Sequence, residues 1–260
     1  MPSSDWTQDY SPKSFSRSEF VLPEEHRKIF EEYAKGKRTQ HLLLTGNFGT
    51  GKTSVGQVLR KKAQSEFFIS CTEYKQEKHW VEKGAGWKFI FSSQIPSFSP
   101  SEKRNRPIGK FVLLDELDQL KTQEMLRNIL DEAGKRKIII CMTSNYPKKI
   151  DPAIHSRCTN IHFGTGDLLW DNYAEQNPPG NREDIENQLV DLVVKIAEKE
   201  APKTKWELPR ALFLKEEIIK KRPQLDIRQI LIDAQSYVHD GKFEPSEDRL
   251  KPYQNSQEKR

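Results

Sequence analysis

Continuous apolar runs in the first part of the chain predict buried β-strands. The runs lie at residues 41–45, 67–71, 111–116, 137–145 and 160–163. The run at 111–116 has no alternation of apolar and polar residues, which is typical of a parallel strand covered on both faces. Between the runs, apolar residues recur at helical spacing, as in a helix expected over residues 119–133 and stopped by Gly134. Strands that alternate with helices predict an α/β fold with a mostly parallel sheet flanked by helices.

After Gly164 the pattern changes from strands to helices. A turn-forming cluster at residues 177–181 precedes amphipathic patterns at about 182–200, 206–222 and 226–240. These patterns predict a small all-helical domain over residues 166–243, following a first domain over residues 1–165. The charged and polar stretch 244–260 is expected to be a disordered tail.

Two stretches of the first domain have a less regular pattern. Residues 1–20 are polar with scattered aromatic residues, and Pro23 then opens a helix expected from Glu24 to Lys35. Residues 72–110 hold several aromatic residues and prolines, and they predict one helix and a long loop.

The composition narrows the class of protein only slightly. The chain of 260 residues is 35% hydrophobic, enough for a real core, and carries a net charge of +5, which is compatible with a nucleic-acid partner without requiring one. Its three cysteines lie far apart, so neither a zinc pair nor a disulfide framework is indicated. No apolar run approaches membrane-spanning length and the first residues lack an apolar signal core, so an intracellular protein is expected, neither secreted nor in a membrane.

The strongest local motif lies between the first predicted strand and the next helix. It fits the phosphate-binding loop G-x-x-x-x-G-K-[ST], in which glycines let backbone N–H groups point at phosphate oxygens, Lys52 adds a positive charge and Thr53 offers a hydroxyl to Mg²⁺. The alternative is an ordinary glycine-rich turn, which is disfavoured because the lysine, the threonine and both flanking elements are in place. The candidate nucleotide-binding residues are Gly46, Asn47, Phe48, Gly49, Thr50, Gly51, Lys52, Thr53 and Ser54.

Polar side chains end two of the later predicted strands. Asp115 could hold Mg²⁺, and Glu116 could orient and deprotonate a water molecule; the alternative is an acid pair that caps a strand end. Asn145 could hydrogen-bond the γ-phosphate and that water, or it could simply be a turn residue before Tyr146 and a proline. Asp118 is expected to be a helix N-cap.

The order of these motifs resembles the AAA+ ATPases of the clamp-loader family. The phosphate loop, the Asp-Glu strand and the Asn strand are followed by Ser156-Arg157-Cys158, and Leu225-Asp226-Ile227-Arg228 resembles the Gly-Asp-x-Arg element of the family's lid. The opening residues, Trp6 to Phe15, are similar to the Trp…Tyr-x-Pro…Phe start of those subunits. The likeness extends over about residues 6–243; it includes replication factor C small subunits and is greatest to the ATPase subunit of T-even phage clamp loaders.

The resemblance implies a fold, a reaction and several residue roles. The fold would be an AAA+ P-loop domain with a helical lid, and the reaction ATP hydrolysis with Mg²⁺. Tyr10 and Pro12 would flank the adenine as part of the first domain. Arg157 would be an arginine finger that reaches the γ-phosphate of a neighbouring subunit, and Arg228 would sense nucleotide from the lid. Without the resemblance, both arginines would be taken for ordinary surface residues.

The resemblance also implies partners. Clamp loaders form rings with other loader subunits, open a sliding clamp and grip primer–template DNA through its phosphates, at a cytoplasmic, nuclear or viral replication site. Taken singly, each candidate DNA contact is better explained as a solvated surface charge. The candidates are Lys103, Arg104, Arg106, Lys110, Lys148 and Lys149.

Two alternatives for the function remain open. One is an AAA+ loader of a helicase or an origin, for which Asp115-Glu116-Leu117-Asp118 would also be suitable. The other is an ATP-stabilised scaffold on DNA, such as a target selector in transposition, in which turnover is incidental. The Ser-Arg-Cys motif and the amino-terminal Trp and Tyr-x-Pro pattern favour the clamp loader.

Overall fold

Contacts within the described residues divide the chain into two units. A computed structural model describes residues 5–65, 67–71, 85–92, 110–120, 122–163, 182–222 and 225–254. The larger unit contains the described residues from Glu25 to Phe163, and the smaller unit combines the N-terminal segment up to Glu24 with those from 182 onward. The N-terminal segment was predicted to belong to the first domain, 1–165, whereas in the structure it groups with the C-terminal part of the chain.

Five parallel strands form the sheet of the larger unit, which confirms the α/β prediction. In chain order they are β1 (His41–Gly46), β2 (Phe68–Ser70), β3 (Phe111–Asp115), β4 (Ile139–Ser144) and β5 (Cys158–Phe163). The spatial order is β2-β3-β4-β1-β5. The carboxyl ends of β1, β3 and β4 therefore lie at one edge of the sheet, and these ends carry the predicted site.

Helices surround the sheet and form most of the smaller unit. They are α1 (Trp6–Asp9), α2 (Glu24–Ala34), α3 (Lys52–Lys62), α4 (Ala85–Ser92), α5 (Glu124–Lys135), α6 (Pro152–His155), α7 (Arg182–Glu200), α8 (Leu208–Phe213), α9 (Ile227–Gln235) and α10 (Glu247–Gln254). A π-helical segment, Leu214–Ile219, continues α8, and short 3-10 helices lie at Leu117–Gln119 and Pro147–Lys149. Within the described ranges, no helix is long and apolar enough to cross a membrane.

The apolar residues of α5 recur at helical spacing, so they lie on one face of this helix, and that face packs against the sheet. Leu126, Ile129 and Leu130 are buried there, as their spacing predicts. The helix begins at Glu124, later than expected, because the 3-10 helix Leu117–Gln119 intervenes. It also continues through Gly134 to Lys135, so the prediction that Gly134 ends the helix was wrong.

The core of the smaller unit explains why the N-terminal segment joins it. Trp6 is 1% exposed and packs in the same apolar cluster as Leu189, Phe213 and Ile230. The backbone N–H of Trp6 also donates a hydrogen bond to Gln235 Oε1 at 3.3 Å. An aromatic side chain buried to this degree supplies far more stabilisation in a core than in a free leader.

The C-terminal part of the smaller unit differs from the predicted helical domain and tail. A hairpin of two short strands, β6 (Val238–His239) and β7 (Lys242–Phe243), lies between α9 and α10, so this domain is not all-helical. The helix α10 forms within the predicted disordered tail, and it is held in place because Leu250 is buried and Tyr253 donates a hydrogen bond to Glu217 Oε1 at 2.9 Å. Residues 255–260 lie outside the described part of the chain.

The irregular stretch 72–110 is described only at α4 and at Lys110. Trp87 and Ile90 of α4 are buried in the cluster that also contains the sheet residues Ile69 and Leu114. The expected helix is therefore present, and the expected long loop on either side of it lies outside the described residues.

Candidate nucleotide-binding and catalytic site

The predicted phosphate loop connects the end of β1 to the start of α3, and its glycines have the backbone that the motif requires. Gly46, Gly49 and Gly51 have positive φ angles of 134°, 69° and 92°. A Cβ at position 46 would lie 1.9 Å from the backbone oxygen of Phe163 in the neighbouring strand β5. Only glycine satisfies both constraints at this position.

The lysine of the loop lies inside the curve of the backbone. Lys52 is 6% exposed, and its Nζ donates to the carbonyl oxygens of Gly46 and Asn47 at 2.9 Å and 2.5 Å. The Thr50 hydroxyl donates to the same Asn47 oxygen at 2.8 Å. A positive charge thus lies at the N-terminus of α3, where the helix dipole also favours an anion.

The carboxyl group at the end of β3 contacts the first turn of α3. Thr53 Oγ1 donates to Asp115 Oδ1 at 2.8 Å, which brings the two predicted Mg²⁺ ligands together. Among the described residues, no group of three or more histidine, cysteine or acidic side chains could hold a metal. One hydroxyl and one carboxylate are nevertheless suitable for Mg²⁺, which keeps several waters and binds phosphate oxygens in nucleotide sites.

Thr143, which the sequence analysis did not single out, connects the two acidic residues. Its hydroxyl donates to Asp115 Oδ1 at 2.6 Å and accepts from the backbone N–H of Glu116 at 2.9 Å. Glu116 is partly exposed and has a left-handed backbone, φ 58° and ψ 51°, which is uncommon for a residue with a side chain. The hydrogen bond that the Glu116 N–H donates to Thr143 therefore helps to hold Glu116 in a strained conformation.

Asp118 was wrongly predicted to be an N-cap. It lies within the 3-10 helix Leu117–Gln119, is 7% exposed, and accepts hydrogen bonds at Oδ1 from Ser144 Oγ at 2.8 Å and from the Asn145 backbone N–H at 3.0 Å. Asn145 itself is partly exposed just after β4, beside the end of β3. Asp118, which follows the predicted acid pair, is therefore hydrogen-bonded to the backbone of Asn145 at the same edge of the sheet.

Arg157 lies on the surface of the larger unit, between α6 and β5. Its guanidinium makes two hydrogen bonds to Asp131, at 2.8 Å and 3.1 Å, and a third at 2.8 Å to the Ala153 carbonyl oxygen. The side chain is 33% exposed. The hydrogen bond from Arg157 lowers the pKa of Asp131 below its usual value. A role in a neighbouring subunit's site stays a prediction for this residue.

The predicted lid and adenine-flanking residues lie in the smaller unit. Arg228 is exposed near the N-terminus of α9, and the preceding Leu225 has a positive φ of 49°. Glycine adopts such a φ without strain, which explains physically why this element has glycine in the family that it resembles. Pro12 is partly exposed, and the hydroxyl of Tyr10 donates to Glu200. Burial is the largest cause of the raised pKa of Tyr10.

The candidate DNA contacts have different environments. Lys148 and Lys149 are exposed, and Lys149 Nζ lies 4.3 Å from the centre of the Tyr146 ring. Lys110 is 8% exposed and its ammonium donates to the backbone oxygen of Ile90, so it was wrongly grouped with surface cations. The remaining candidates, Lys103, Arg104 and Arg106, lie outside the described residues.

The sequence of this chain is similar to those of several known proteins. A model of the ATPase family associated with various cellular activities (AAA) matches residues 42–165. The replication factor C small subunit of Methanococcus maripaludis is 26% identical over 261 residues, which is 90% of this chain and 78% of that protein. The Thermofilum pendens replication factor C small subunit is 32% identical over 164 residues, 61% of this chain and 47% of that protein. The chain thus spans about half the length of this second relative.

A solved structure with low sequence identity supports the fold alone. The Thermotoga maritima RuvB Holliday junction branch migration motor is similar with a TM-score of 0.60, 17% identity, and coverage of 95% of this chain and 73% of that one. The parallel sheet, the phosphate loop and the acid pair all lie within the matched family region. The chain is therefore an ATPase, and its residues 42–165 match the model of the AAA family.

Proposed function

We propose that the chain is a clamp-loader-like ATPase of DNA replication, which opens a sliding clamp and places it on primer–template DNA. The observation that carries the proposal is the hydrogen-bonded cluster of Thr53, Asp115, Thr143 and Glu116 at the phosphate loop. This cluster supports ATP hydrolysis, and the replication factor C names of the relatives support a role in clamp loading.

In this proposal each residue at the sheet edge has a separate role in phosphoryl transfer. The phosphate loop binds the β- and γ-phosphates, and Thr53 and Asp115 would hold Mg²⁺, which offsets negative charge on the phosphate oxygens. Glu116 orients the attacking water and accepts its proton. Asn145 hydrogen-bonds this water and the γ-phosphate through its side-chain amide.

The proposal assigns Arg157 to the neighbouring subunit's nucleotide. Its ion pair with Asp131 is exposed on both sides, with side chains 33% and 50% accessible, and such pairs contribute little to stability. The guanidinium can therefore leave Asp131 at low cost when the phosphates of an adjacent protomer approach it. Arg228 would report on nucleotide from the lid, and Tyr10 and Pro12 would contact the adenine.

DNA and the clamp are the proposed macromolecular partners, together with other loader subunits in a homo- or hetero-oligomeric ring. Lys148 and Lys149 are the described residues that we propose as phosphate contacts, and Lys103, Arg104 and Arg106 are proposed with them. Contacts with the DNA backbone release counterions, so DNA affinity should fall steeply as salt is raised. A flat salt response would count against this basic surface.

Clamp loading has a topological signature that tests the proposal. The chain, with its partner subunits, is incubated with clamp, ATP and nicked circular DNA, and the DNA is then isolated by gel filtration. We expect clamp to remain on the circle and to be lost after the circle is linearised, because a closed ring slides off a free end. Matched reactions contain the Glu116→Gln variant or ADP.

The result also separates the alternatives. Clamp that is retained equally on linear DNA, or without ATP, would contradict clamp loading. ATP-dependent oligomers that bind DNA without retaining any clamp would favour a loader of another ring or a scaffold. Light scattering with a non-hydrolysable ATP analogue and primed DNA gives the size of those oligomers.

A further inference from the structure

The carboxyl group of Asp118 connects the turn after β3 to the end of β4. Its Oδ1 accepts hydrogen bonds from the Ser144 hydroxyl and the Asn145 backbone N–H, at 2.8 Å and 3.0 Å. Its Oδ2 accepts from Gln119 Nε2 at 3.1 Å. The residue is 7% exposed, so the loss of its carboxyl group would remove the acceptor of the buried Ser144 hydroxyl and of the partly buried Asn145 N–H.

We propose that Asp118 is a positioning residue for Asn145 in ATP hydrolysis, an inference that rests on the catalytic role proposed above for Asn145. The direction of a side chain follows from the position of its own backbone, and Asp118 holds the backbone nitrogen of Asn145. The rate of a catalysed reaction depends steeply on the position of the catalytic side chain, since a shift of about 1 Å can lower the rate on the order of 100-fold.

The hydrogen bond between Asp118 and Asn145 is one of two connections between the ends of the neighbouring strands β3 and β4, and each strand supplies the side chain of one connection. Thr143 of β4 holds the acidic residues at the end of β3, through Asp115 and the backbone of Glu116. Asp118, three residues after Asp115, holds the residue at the end of β4. The residue that would activate the water and the residue that would orient it are thus fixed relative to each other from both strands.

Asparagine and alanine at position 118 separate positioning from charge. Asp118→Asn keeps an acceptor oxygen for Ser144 and Asn145, and its new amide can pair with Gln119 once the Gln119 amide turns over. Asp118→Ala removes the acceptor altogether. The exposed Gln119 contacts the same carboxyl group without contacting Asn145, so Gln119→Ala is the matched control.

The test is a steady-state ATPase measurement on the complete chain, in the assembly in which the wild-type protein turns over. We expect Asp118→Ala to lower kcat on the order of 10- to 100-fold with the KM for ATP within about two-fold of wild type. Asp118→Asn should recover most of the rate, and Gln119→Ala should retain it. In an Asn145→Ala background, Asp118→Ala should cost little more, because the two residues act as one unit.

Each outcome decides the inference. A wild-type kcat for Asp118→Ala, or losses that multiply in the double variant, would overturn it. If Asn145→Ala hydrolyses ATP normally, the catalytic role of Asn145 fails and the positioning role fails with it. If Asn145→Ala is slow while Asp118→Ala is not, only the positioning role fails. Should Asp118→Ala not fold, Asp118→Glu, which displaces the carboxyl group, must show the same loss of kcat.

Discussion

The hydroxyl of Thr53 and the carboxyl group of Asp115, 62 residues apart in the sequence, are joined by a hydrogen bond of 2.8 Å. The bond connects the first turn of α3 to the end of β3. The first turn of α3 and the end of β3 are therefore held together by the protein itself. Little rearrangement would be needed for these two oxygen ligands to hold a Mg²⁺ ion, and such preorganisation favours catalysis.

We expect Thr143→Val to slow hydrolysis and lower stability together. Valine has nearly the shape of threonine, but it removes the hydroxyl that contacts both Asp115 and the Glu116 backbone. The partly buried N–H of Glu116 would lose its acceptor, at a cost of about 1 kcal/mol in the free energy of unfolding. Urea denaturation and steady-state kcat measure the two effects.

Serine at position 143 is the control for this prediction. Thr143→Ser keeps the hydroxyl and loses one methyl group, so its kcat should stay close to that of wild type. An equal loss of rate in the serine and valine variants would show that packing of the methyl group matters and that the hydroxyl does not.

Two glycines give opposite predictions for the same substitution. In Gly46→Ala the new methyl group would meet the backbone oxygen of Phe163 at 1.9 Å, with a φ of 134° that alanine disfavours. This variant should lose ATP binding and part of the pairing between β1 and β5. Gly134 lies inside α5, and an added methyl group would meet only His41 Nε2, at an ordinary contact distance of 3.7 Å.

Gly134→Ala should therefore stabilise the protein by about 0.5–1 kcal/mol, the difference in helix propensity between the two residues. Chemical denaturation measures this change, and binding of a fluorescent ATP analogue should be unaltered in this variant. A destabilised Gly134→Ala protein, or a Gly46→Ala protein that binds ATP normally, would contradict the geometry described here.

The local part of the site was predictable from the sequence. The residues of the phosphate loop are contiguous in the sequence. Its glycines, Lys52 and Thr53, with a predicted strand before them and a predicted helix after them, were therefore enough to identify it. Asp115 and Asn145 were predictable because parallel strands end at one edge of a sheet, where their last side chains meet. The sheet edge that carries these residues followed from the order of apolar runs alone.

Contacts between strands were not predictable in the same way. Aspartate is a common N-cap residue, so the sequence alone favoured that role for Asp118. Its carboxyl group faces Asn145 because of the 3-10 helix and the register of β3 and β4, which the sequence does not reveal. In the sequence Thr143 is an ordinary strand residue, and its role became visible only when the structure showed Asp115 and Glu116 beside it. Lys110 was taken for a surface charge because a lysine next to a basic cluster gives no sign of burial.

His26 should make the stability of the protein depend on pH. The residue is buried against Phe30 and Phe163, and burial lowers its pKa from 6.5 to about 4. Below pH 6.5 the unfolded chain binds a proton at His26 that the folded chain does not. Stability is therefore fully present above pH 6.5 and is lost as the pH falls toward 4, by at most about 3 kcal/mol.

The variant His26→Phe tests this dependence. Phenylalanine continues the aromatic cluster and cannot bind a proton, so stability should fall less steeply between pH 6.5 and 4. Some slope should remain because burial also lowers the pKa values of His41 and His162. Urea denaturation at several pH values gives the slopes, and identical slopes for the variant and wild type would exclude His26 as a source.

Mixing two inactive variants tests whether Arg157 acts on the neighbouring subunit. Arg157→Ala should bind ATP with wild-type affinity but hydrolyse it slowly, because its nucleotide site is intact and its finger is missing. Lys52→Ala should not bind ATP but can still supply Arg157. A 1:1 mixture that exchanges subunits in a homo-oligomer should regain activity at about one quarter of its interfaces, since each of two neighbours is the right variant half the time.

An arginine that acts within its own subunit predicts a different result, because no protomer in the mixture would contain both groups. Such a mixture would stay inactive at every ratio. Arg136→Ala is the matched control, since Arg136 also lies on the surface of the larger unit and pairs with a carboxylate, Glu132, at 2.6 Å. This variant should hydrolyse ATP at the wild-type rate, alone and in mixtures. Activity that peaks at equal amounts of the two variants is the signature of a finger that completes the site of the adjacent subunit.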